Sequence, residues 1–538
     1  MTLQHDIFDA FGRSLEGEWH SDPLLRSIYA TDASVYRELP LAVALPKNEA
    51  DLKKLIRFAS QHKLSLVPRA GGTSLAGQCV GNGVVVDVSR FMNKILDFNA
   101  IERWVKVQPG VIRDDLNRFL KPHGLFFSPV TSTSNRAMIG GMVGNNSSGQ
   151  TSIEYGSTRE HVLSIRALLA DGSEVTFGKL DAAGFAKKLE QEDVEGQLYR
   201  QIHGLLDNPA NRRSIEKEFP KKSIHRRNTG YALDMLLDQQ PFSPEGSAFN
   251  FCSLLCGSEG TLALATEITL SLDPLPLPEE VIACLHFSDV LQSMRATGIA
   301  MQMAPSACEL MDKVILDCTK SNLEQAKNRF FIEGDPVTLL MVEFRASTIE
   351  EAEARAAELI SRVKEAGLGY AYPIVRAPHT QKVWELRKAG LGVMGNLPGD
   401  PKGVACIEDT AVALNDLKPF IMEFSTLMKG YDQKAVYYAH AGAGELHLRP
   451  ILNLKKSEDV ALFRAITTDV MRLTKKYKGS FSGEHGDGIV RAEFLPELVG
   501  EKNYTLFKEI KKLFDPKGIF NPGKIVNSYP MDRNLRYE

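Results

Sequence analysis

The sequence predicts an α+β fold with two main domains that meet between residues 274 and 280. The length of 538 residues exceeds the size at which one hydrophobic core stops growing. Segments rich in β-branched residues alternate with helical patterns through most of the chain. The run DPLPLPEE interrupts this alternation at residues 273–280, where proline removes backbone donors and stops a helix from continuing.

The N-terminal half is expected to form one domain over residues 38–273, preceded by a helical segment at 1–37. From residue 48 the sequence NEADLKKLIRFASQHK has apolar residues at helical spacing. LSLVP and VVVDVS, on either side of a glycine-rich loop, are typical of strands. Further β-branched segments follow at 105–110, 164–178 and 261–272.

The C-terminal half is expected to form a second α+β domain over residues 274–480, with an antiparallel sheet. Strand patterns such as VIACLHF and TLLMVEFRA alternate there with long helices that carry a polar face. The last segment, 481–538, contains the glycine- and proline-rich motif FDPKGIFNPGKIV. We expect it to return and cover the first domain.

Composition argues against several classes of protein. The formal net charge is −3 and no Lys/Arg block stands out, so nucleic acid is not an expected partner. No leader pattern and no apolar run of about 18 residues is present, which predicts a cytoplasmic protein without a membrane span. Seven scattered cysteines without a CxxC pair argue against disulfides and an iron-sulfur cluster within this chain. Cys252 and Cys256, four residues apart, could form half of a metal site, but their apolar surroundings favour a packing role.

Two glycine-rich loops, at residues 68–83 and 128–149, indicate a binding site for a large polar ligand. Glycine leaves backbone N–H groups free to approach an anion such as a pyrophosphate. The first loop has neither the GxGxxG pattern that opens a helix nor the lysine of a Walker A loop. Taken alone it fits a tight turn equally well, and the second loop shifts the balance towards a ligand site.

The strongest chemical signal is the pair of motifs AHAGAGELHLR and SGEHGDG. The first is typical of a hairpin in which His440 and His447 approach one another, with Arg449 on the face of His447. The second places Glu484 and His485 in a turn rich in glycine. Two imidazoles and a carboxylate would make a three-ligand metal site with open positions, which is the catalytic type.

These motifs resemble those of PCMH-type flavoproteins, the vanillyl-alcohol-oxidase superfamily, in the branch of D-lactate, glycolate and D-2-hydroxyglutarate dehydrogenases. The resemblance covers roughly residues 35–526 and implies a two-subdomain FAD-binding domain followed by a substrate domain that forms a cap. Some members bond FAD to a histidine where this chain has Thr73, so FAD is expected to be non-covalent. The residues that match cofactor contacts are Pro68, Arg69, Ala70, Gly71, Gly72, Thr73, Ser74, Gly77, Gln78, Pro129, Thr131, Gly140, Gly141, Asn145, Ser148, Gly149, Tyr155, Gly156, Gly260, Thr261 and Asn521.

The resemblance also implies roles in the second domain. His440, His447 and Glu484 match metal ligands, with Zn²⁺ expected first and Mn²⁺ or Fe²⁺ open. His485 matches the base that takes the substrate's hydroxyl proton as a hydride leaves for the flavin. The residues expected to bind the substrate are Arg387, Lys402 and Arg449, of which Arg387 could equally lie on a solvated helix face. Dicarboxylate-specific members have asparagine in place of Arg449, which leaves the identity of the acid open.

The function expected from these motifs is oxidation of a D-2-hydroxy acid, D-2-hydroxyglutarate or D-lactate, to the 2-oxo acid. The alternatives are a flavin-dependent transferase of the ether-lipid synthase type, a subunit like that of glycolate oxidase, and a flavoprotein without turnover. Neither cluster-binding cysteines nor a nicotinamide fingerprint is present. We therefore expect electrons to leave through an iron-sulfur domain or subunit or another partner. A homodimer is left open.

Overall fold

The first domain begins with a sheet that alternates with helices. The computed structural model describes residues 2–393 and 397–537. The sheet has the order β1-β2-β4-β3, with β1 antiparallel and the other pairings parallel. The strands are β1 (Glu18–His20), β2 (Ala42–Leu45), β3 (Leu66–Arg69) and β4 (Val84–Asp87). Parallel strands are joined by crossover connections. The helix Glu49–His62 connects β2 to β3, which lie on either side of β4, and it buries Leu52, Leu55 and Ile56.

A second sheet in the first domain is antiparallel, with the order β5-β6-β10-β8-β9. In β10 every second residue is buried, as expected for a strand with one face on a core. The strands are β5 (Ile95–Asn99), β6 (Trp104–Val107), β7 (Leu125–Phe126), β8 (Val162–Leu168), β9 (Glu174–Gly178) and β10 (Leu264–Ser271). Strand β7 lies outside this sheet and pairs with Asp273–Pro274.

Helices connect the strands of the first domain. They are α1 (Thr2–Gly12), α2 (Pro23–Ile28), α3 (Glu49–His62), α4 (Arg113–Leu120), α5 (Ile139–Asn145), α6 (Ser152–Tyr155), α7 (Thr158–His161), α8 (Ala182–Glu190), α9 (Val194–Asp207), α10 (Pro209–Glu218), α11 (Leu233–Leu237) and α12 (Cys252–Leu255). Several begin at side-chain caps. Asn48, for example, accepts a hydrogen bond from the backbone N–H of Asp51 at 3.1 Å, at the start of α3.

The second domain is built on one antiparallel sheet with the order β15-β12-β14-β13-β18-β19-β16, and β17 also pairs with β19. The strands of this half are β11 (Asp273–Pro274), β12 (Glu279–Phe287), β13 (Ala307–Asp312), β14 (Thr338–Ala346), β15 (Ile374–Arg376), β16 (Lys402–Gly403), β17 (Ile407–Ala411), β18 (Ala435–His440) and β19 (Glu445–Leu452). The helices are α13 (Val290–Met301), α14 (Lys313–Lys320), α15 (Ile349–Glu365), α16 (Thr380–Val393), α17 (Leu417–Gly430), α18 (Ser457–Lys476), α19 (Leu495–Val499) and α20 (Glu501–Phe514).

The fold confirms the predicted α+β class and corrects its first segment. Residues 1–37 are not purely helical, because β1 extends the first sheet by pairing with β2. The C-terminal segment does return to the first domain: α20 packs on α9 and α10, and the carbonyl of Leu66 accepts a hydrogen bond from the N–H of Asn521 at 2.8 Å. Among the helices described, none has the length and apolar character needed to cross a membrane.

Candidate functional site

A large cavity opens between the two domains. It has a volume of about 610 Å³, and a smaller cavity of about 120 Å³ adjoins it at Arg69 and Asn145. The larger one is lined from the first domain by the glycine-rich loops and from the second by α16 and the hairpin β18–β19. The smaller one extends into the first domain between apolar side chains such as Val86 and Ile165. Together they form an elongated space that widens towards the second domain.

Glycine allows the two loops to approach each other closely. A Cβ atom on Gly71 would lie 2.5 Å from the carbonyl oxygen of Arg136, which is impossible without moving the backbone. Gly260 has φ +66°, and a Cβ there would lie 2.7 Å from Cγ of Pro68. A larger side chain at either position would displace a cavity wall. The narrow backbone-lined space fits an extended dinucleotide such as FAD.

Most of the predicted cofactor residues line these cavities or a small pocket that continues them. They are Pro68, Arg69, Ala70, Gly71, Gly72, Thr73, Ser74, Gln78, Thr131, Gly140, Gly141, Asn145, Gly149 and Gly260. Residues that the sequence reasoning missed also contribute: Ile28, Thr31 and Asp32, from the segment placed outside the domain, line the large cavity. The end of the N-terminal segment is therefore part of the site.

The other predicted cofactor residues are not among those that line these cavities, and their direct contact with the cofactor stays a prediction. These residues are Gly77, Pro129, Ser148, Tyr155, Gly156, Thr261 and Asn521. Several support the walls. The buried amide of Asn521 donates to the carbonyls of Gln78 and Glu259 at 3.0 and 2.8 Å, and so ties the returning C-terminal segment to the first glycine-rich loop and to the segment before β10. Thr261 donates to the carbonyl of Ser258 at 2.6 Å.

The hairpin β18–β19 brings the two predicted histidine ligands together. His440 lies opposite Glu445 and His447 lies opposite Tyr438, so the imidazoles form a diagonal pair on one face. Their ring centroids are 5.0 Å apart. The turn between the strands ends at Gly444, whose φ of +72° favours glycine. The strand, turn and strand predicted from the sequence are confirmed.

Hydrogen bonds orient both imidazoles. Nδ1 of His440 lies 2.9 Å from Oε1 of Glu309, on β13, and Nδ1 of His447 donates to the backbone carbonyl of Glu408, on β17. Each ring therefore turns its Nε2 atom towards the cavity. A partner on the opposite nitrogen is the usual arrangement for a histidine that binds a metal.

Glu484 and His485 lie in a turn that Asp409 holds in place. The buried carboxylate of Asp409 accepts hydrogen bonds from the backbone N–H groups of Glu484 and His485, at 3.0 and 2.8 Å. It also accepts one from the hydroxyl of Ser482 at 2.6 Å. Gly486 follows with φ +81°, and a Cβ there would lie 2.5 Å from a carboxylate oxygen of Glu259. The turn is thus fixed from both domains.

The three predicted metal ligands converge at one point. Oε1 of Glu484 lies 3.2 Å from Nε2 of His440 and 3.7 Å from Nε2 of His447. Ligands of a tetrahedral ion with bonds of about 2.1 Å are about 3.4 Å apart, so the spacing fits a divalent cation. Glu408 and Asp409 also lie near His447, but Oε1 of Glu408 pairs with His485, its Oε2 faces Nδ1 of His447 and not Nε2, and both oxygens of Asp409 accept hydrogen bonds. The donor set of one carboxylate and two imidazoles is therefore the best fit.

The protonation states of this cluster also suit a cation, which needs deprotonated ligands. Burial lowers the pKa of His447 well below its usual value, and His440 and His485 lower it further. For Glu484, burial alone would raise the pKa, but Arg226 and His440 hold it well below its usual value. A neutral imidazole and an ionised carboxylate result.

His485 faces the same point but has a different partner. Its Nδ1 atom lies 2.8 Å from Oε1 of Glu408, and its Nε2 atom lies 3.6 Å from Oε1 of Glu484. Burial lowers the pKa of His485, but Glu408 and Asp409 outweigh burial and raise it to about 9. Its ring stacks on that of His447 with centroids 5.2 Å apart.

Two of the three predicted substrate residues line the large cavity. The buried guanidinium of Arg387 lies over the ring of Tyr438, 3.3 Å from its centroid, with Nη2 2.5 Å from Oε2 of Glu309. Burial, ahead of the opposing effect of Glu309, lowers the pKa of Arg387 to about 10. Nη2 of the buried Arg449 lies 3.5 Å from Oε2 of Glu408. Within the described chain, the Nε atoms of both arginines have no hydrogen-bond partner.

Lys402 does not reach the cavity, contrary to its predicted role. Its ammonium donates to the carbonyls of Leu397 and Gly399 at 2.6 and 2.9 Å. Those contacts close a local turn beside β16. Lys402 is not among the residues that line the large cavity, and substrate contact by this residue stays a prediction.

The sequence reasoning also missed a set of buried charged residues behind the cluster. They are Arg226, Glu309, Glu408, Asp409, Glu445 and Arg491. A signal was present in the strand IEDTA, where two acids interrupt an apolar stretch and every residue is buried. Buried acids of this kind need partners. Burial raises the pKa of Glu408, but His485, Arg449 and Arg491 outweigh burial and hold this pKa well below its usual value.

Comparison with known proteins identifies both domains. Residues 40–178 match the family described as FAD binding domain, and residues 277–525 match FAD linked oxidases, C-terminal domain. The second match continues across residue 480 into the segment that carries Glu484. The fold of 4-ethylphenol oxidase from Gulosibacter chungangensis superposes with a TM-score of 0.67 at 15% identity, covering 98% of this chain and 97% of that one.

Curated relatives of the chain include a dehydrogenase and an oxidase subunit. D-2-hydroxyglutarate dehydrogenase of Pseudomonas putida is 35% identical over 95% of this chain and 50% of its own length. Glycolate oxidase subunit GlcD of Bacillus subtilis is 25% identical over 93% of this chain and 92% of its own length. The chain thus spans about half the length of the first of these relatives. The chain therefore combines an FAD binding domain with the C-terminal domain of FAD linked oxidases, and these two matched domains identify it.

Proposed function

We propose that this chain carries the active site of an FAD-dependent dehydrogenase that oxidises a D-2-hydroxy acid. D-2-hydroxyglutarate is the first candidate and D-lactate the second. The observation that carries the proposal is the position of His440, His447 and Glu484 on the wall of the cavity that the glycine-rich loops line. An open side towards the cavity leaves room for a substrate.

The residues that line the cavities also indicate the cofactors. FAD in the adjoining cavities would be non-covalent, because Thr73 offers no nucleophile comparable to a histidine. When bound, it supplies an acceptor for a hydride from C2 of the substrate. Zn²⁺ is the proposed ion at the cluster, although Mn²⁺ and Fe²⁺ bind the same nitrogen and oxygen donors. A divalent cation there would supply a Lewis acid that makes the substrate's hydroxyl more acidic.

His485 would accept the proton of that hydroxyl. The ionised Glu408 can only accept a hydrogen bond, so it fixes the proton of His485 on Nδ1 and leaves the lone pair of Nε2 for the substrate. The O–H bond then breaks with its proton moving to Nε2, the C2–H bond breaks with its electron pair, and a C2=O bond forms. In the cation-free cluster the carboxylates keep the pKa of His485 high, and a bound cation would lower it by charge repulsion.

The two cavity-lining arginines support an acid substrate, and a diacid in particular. Arg387 is partly neutralised by Glu309, and Arg449 lies at the weaker distance of 3.5 Å from Glu408. Each keeps a buried donor without a partner in the described chain. Both guanidiniums also line the cavity, where their charges could pair with carboxylates of a substrate. Two such cations suit the two carboxylates of D-2-hydroxyglutarate better than the single one of D-lactate.

Anaerobic mixing with a panel of hydroxy acids tests the function. We expect D-2-hydroxyglutarate to remove the visible absorbance of the flavin fastest, D-lactate more slowly, and the L enantiomers not at all. The panel includes glycolate, which would react best if the chain worked like the glycolate oxidase subunits that it resembles. Absence of reduction by every acid would contradict the proposal and leave the transferase alternative, which needs no net redox change.

A further inference from the structure

The carboxylate of Glu484 faces two different environments, one on each oxygen. Oε1 points to the nitrogens of His440 and His447, as described above. Oε2 points the other way and accepts a hydrogen bond from the hydroxyl of Ser148 at 3.1 Å. It also lies 3.3 Å from Nη1 of Arg226. Only one oxygen of Glu484 is therefore free for a metal ion.

Arg226 makes this arrangement rigid because its guanidinium is bonded on every side. It is 4% exposed and joins three parts of the chain. Nε and Nη2 donate to the hydroxyl of Ser152, at 3.0 and 2.7 Å, and Nη2 also donates to the carbonyl of Gly149. Nη1 pairs with Glu445 on β19 in addition to Glu484. A planar fork with five donors can hold such a set, whereas a lysine cannot.

The contacts of Arg226 with Gly149 and Ser152 connect the predicted metal ligands to the cavity wall. Gly149 lines the large cavity in the loop that precedes α6. Arg226 itself follows α10 in the first domain, while Glu484 belongs to the returning C-terminal segment. The guanidinium thus fixes the predicted metal ligand relative to the predicted flavin loop.

We propose that Arg226 is a positioning residue, which takes up Oε2 of Glu484 so that this residue binds the metal through Oε1 alone and at a fixed distance from the flavin loop. Ser148 has the same role with a single hydrogen bond. The inference rests on the proposed metal site. It concerns the residues behind the ligand, which influence metal affinity through the orientation and charge of the carboxylate.

Metal affinity of the flavin-loaded protein tests the inference directly. Zn²⁺ is titrated into metal-depleted protein against a coloured chelator, for the wild type and for Arg226→Lys and Ser148→Ala. We expect the dissociation constant to rise by about 10- to 100-fold for Arg226→Lys, the usual cost of losing a partner of a metal ligand. Ser148→Ala loses only one hydrogen bond to a charged group, so a rise of about tenfold is expected.

Arg227→Lys is the matched control. Arg227 is the next residue and is also buried, but it donates to Asp234 and to the carbonyls of Lys222 and Ile224. We expect it to bind Zn²⁺ like the wild type. An equal loss of affinity in all three variants would overturn the inference, because the cause would then be general loosening of the loop. Wild-type affinity in Arg226→Lys or in Ser148→Ala would also overturn it.

The result is separable from the proposed dehydrogenase activity. If Arg226→Lys and Ser148→Ala weaken Zn²⁺ binding while no hydroxy acid reduces the wild-type flavin, the inference stands and the proposed function fails. If Arg226→Lys does not bind flavin, Ser148→Ala alone decides, since it removes one hydroxyl and no charge. A wild-type protein without measurable affinity for Zn²⁺, Mn²⁺ or Fe²⁺ would overturn both.

Discussion

Oε1 of the buried Glu408 lies 2.8 Å from Nδ1 of His485, and this contact determines which imidazole nitrogen faces the cavity. The strand β17 supplies the carboxylate and the turn after residue 480 supplies the imidazole. The pKa of Glu408 is held well below its usual value, so its oxygen is an acceptor and Nδ1 is the donor. The proposed proton transfer at Nε2 depends on this tautomer.

Changing Glu408 to Gln should therefore slow flavin reduction while leaving FAD bound. A glutamine can present its N–H₂ group to Nδ1 and stabilise the wrong tautomer, so we expect the limiting rate to fall about a hundredfold, within the range for general acid–base catalysis. Stopped-flow reduction at saturating substrate measures it. The buried Asp312, which accepts a hydrogen bond from the N–H of Ile315, provides a control variant, Asp312→Asn. Equal losses in both variants would contradict a specific role.

Replacing His440, His447 or Glu484 by alanine should remove the metal and most turnover, with flavin still bound. Each change deletes one of three donors that converge within 4.8 Å. Metal analysis of the purified proteins, together with the flavin spectrum, gives the result. His485→Ala should keep the metal and lose flavin reduction at neutral pH, and a metal-free His485→Ala protein would make His485 a ligand. Full activity after chelation would contradict the metal's role.

Arg387→Gln should lower the specificity constant for D-2-hydroxyglutarate by about 10- to 100-fold, since a charge-assisted hydrogen bond contributes about 1.5–3 kcal/mol. A smaller loss is expected for D-lactate. Because the change removes the arginine partner of the buried Glu309, the double variant Arg387→Gln with Glu309→Gln serves as control and keeps an acceptor for His440. Equal losses for both acids would show that Arg387 holds the carboxylate at C1 and would remove the basis for a diacid.

The flavin should leave the protein on acid denaturation. Thr73 lines the cavity in the first loop and offers no covalent link. After precipitation we expect the yellow colour and the absorbance of FAD in the supernatant. Flavin that stays in the pellet would show a covalent bond to another residue.

Reduced flavin should pass its electrons to artificial dyes, slowly to oxygen and not to NAD⁺. The sequence has neither a CxxC pair nor a nicotinamide fingerprint, so we expect the electrons to leave through another protein or domain. Steady-state rates with a dye, with oxygen and with NAD⁺ compare the three routes. Rapid formation of NADH or hydrogen peroxide would contradict the predicted need for a separate electron-transfer partner.

The sequence predicted those parts of the site whose chemistry is carried by short motifs. The hairpin with His440 and His447 could be read because alternation and a glycine turn set the register locally. The residues of the first glycine-rich loop were also predictable, since their composition reflects close backbone approach. The domain boundary stays a prediction, and near it the chain passes from the sheet of β10 to the sheet of β12.

The partners of those motifs could not be predicted. Arg226, Glu309 and Glu408 act through contacts with residues more than 70 positions away, which no local pattern encodes. Asn521 was predicted as a cofactor contact, and the structure adds that its amide bonds to the carbonyls of Gln78 and Glu259. A local pattern does not show such a supporting role, because the partners are distant in the sequence.

The sequence separation of the contacts around Glu484 has a consequence for folding. Ser148 and Glu484 are 336 positions apart, and Arg226 and Glu445 are 219 apart. Closing loops of this length has an entropic cost that must be met before the contacts contribute, so the cluster should assemble late, after both sheets have formed. Recovery of Zn²⁺ affinity during refolding should then lag behind recovery of secondary structure, which makes the ion a reporter of the final docking step.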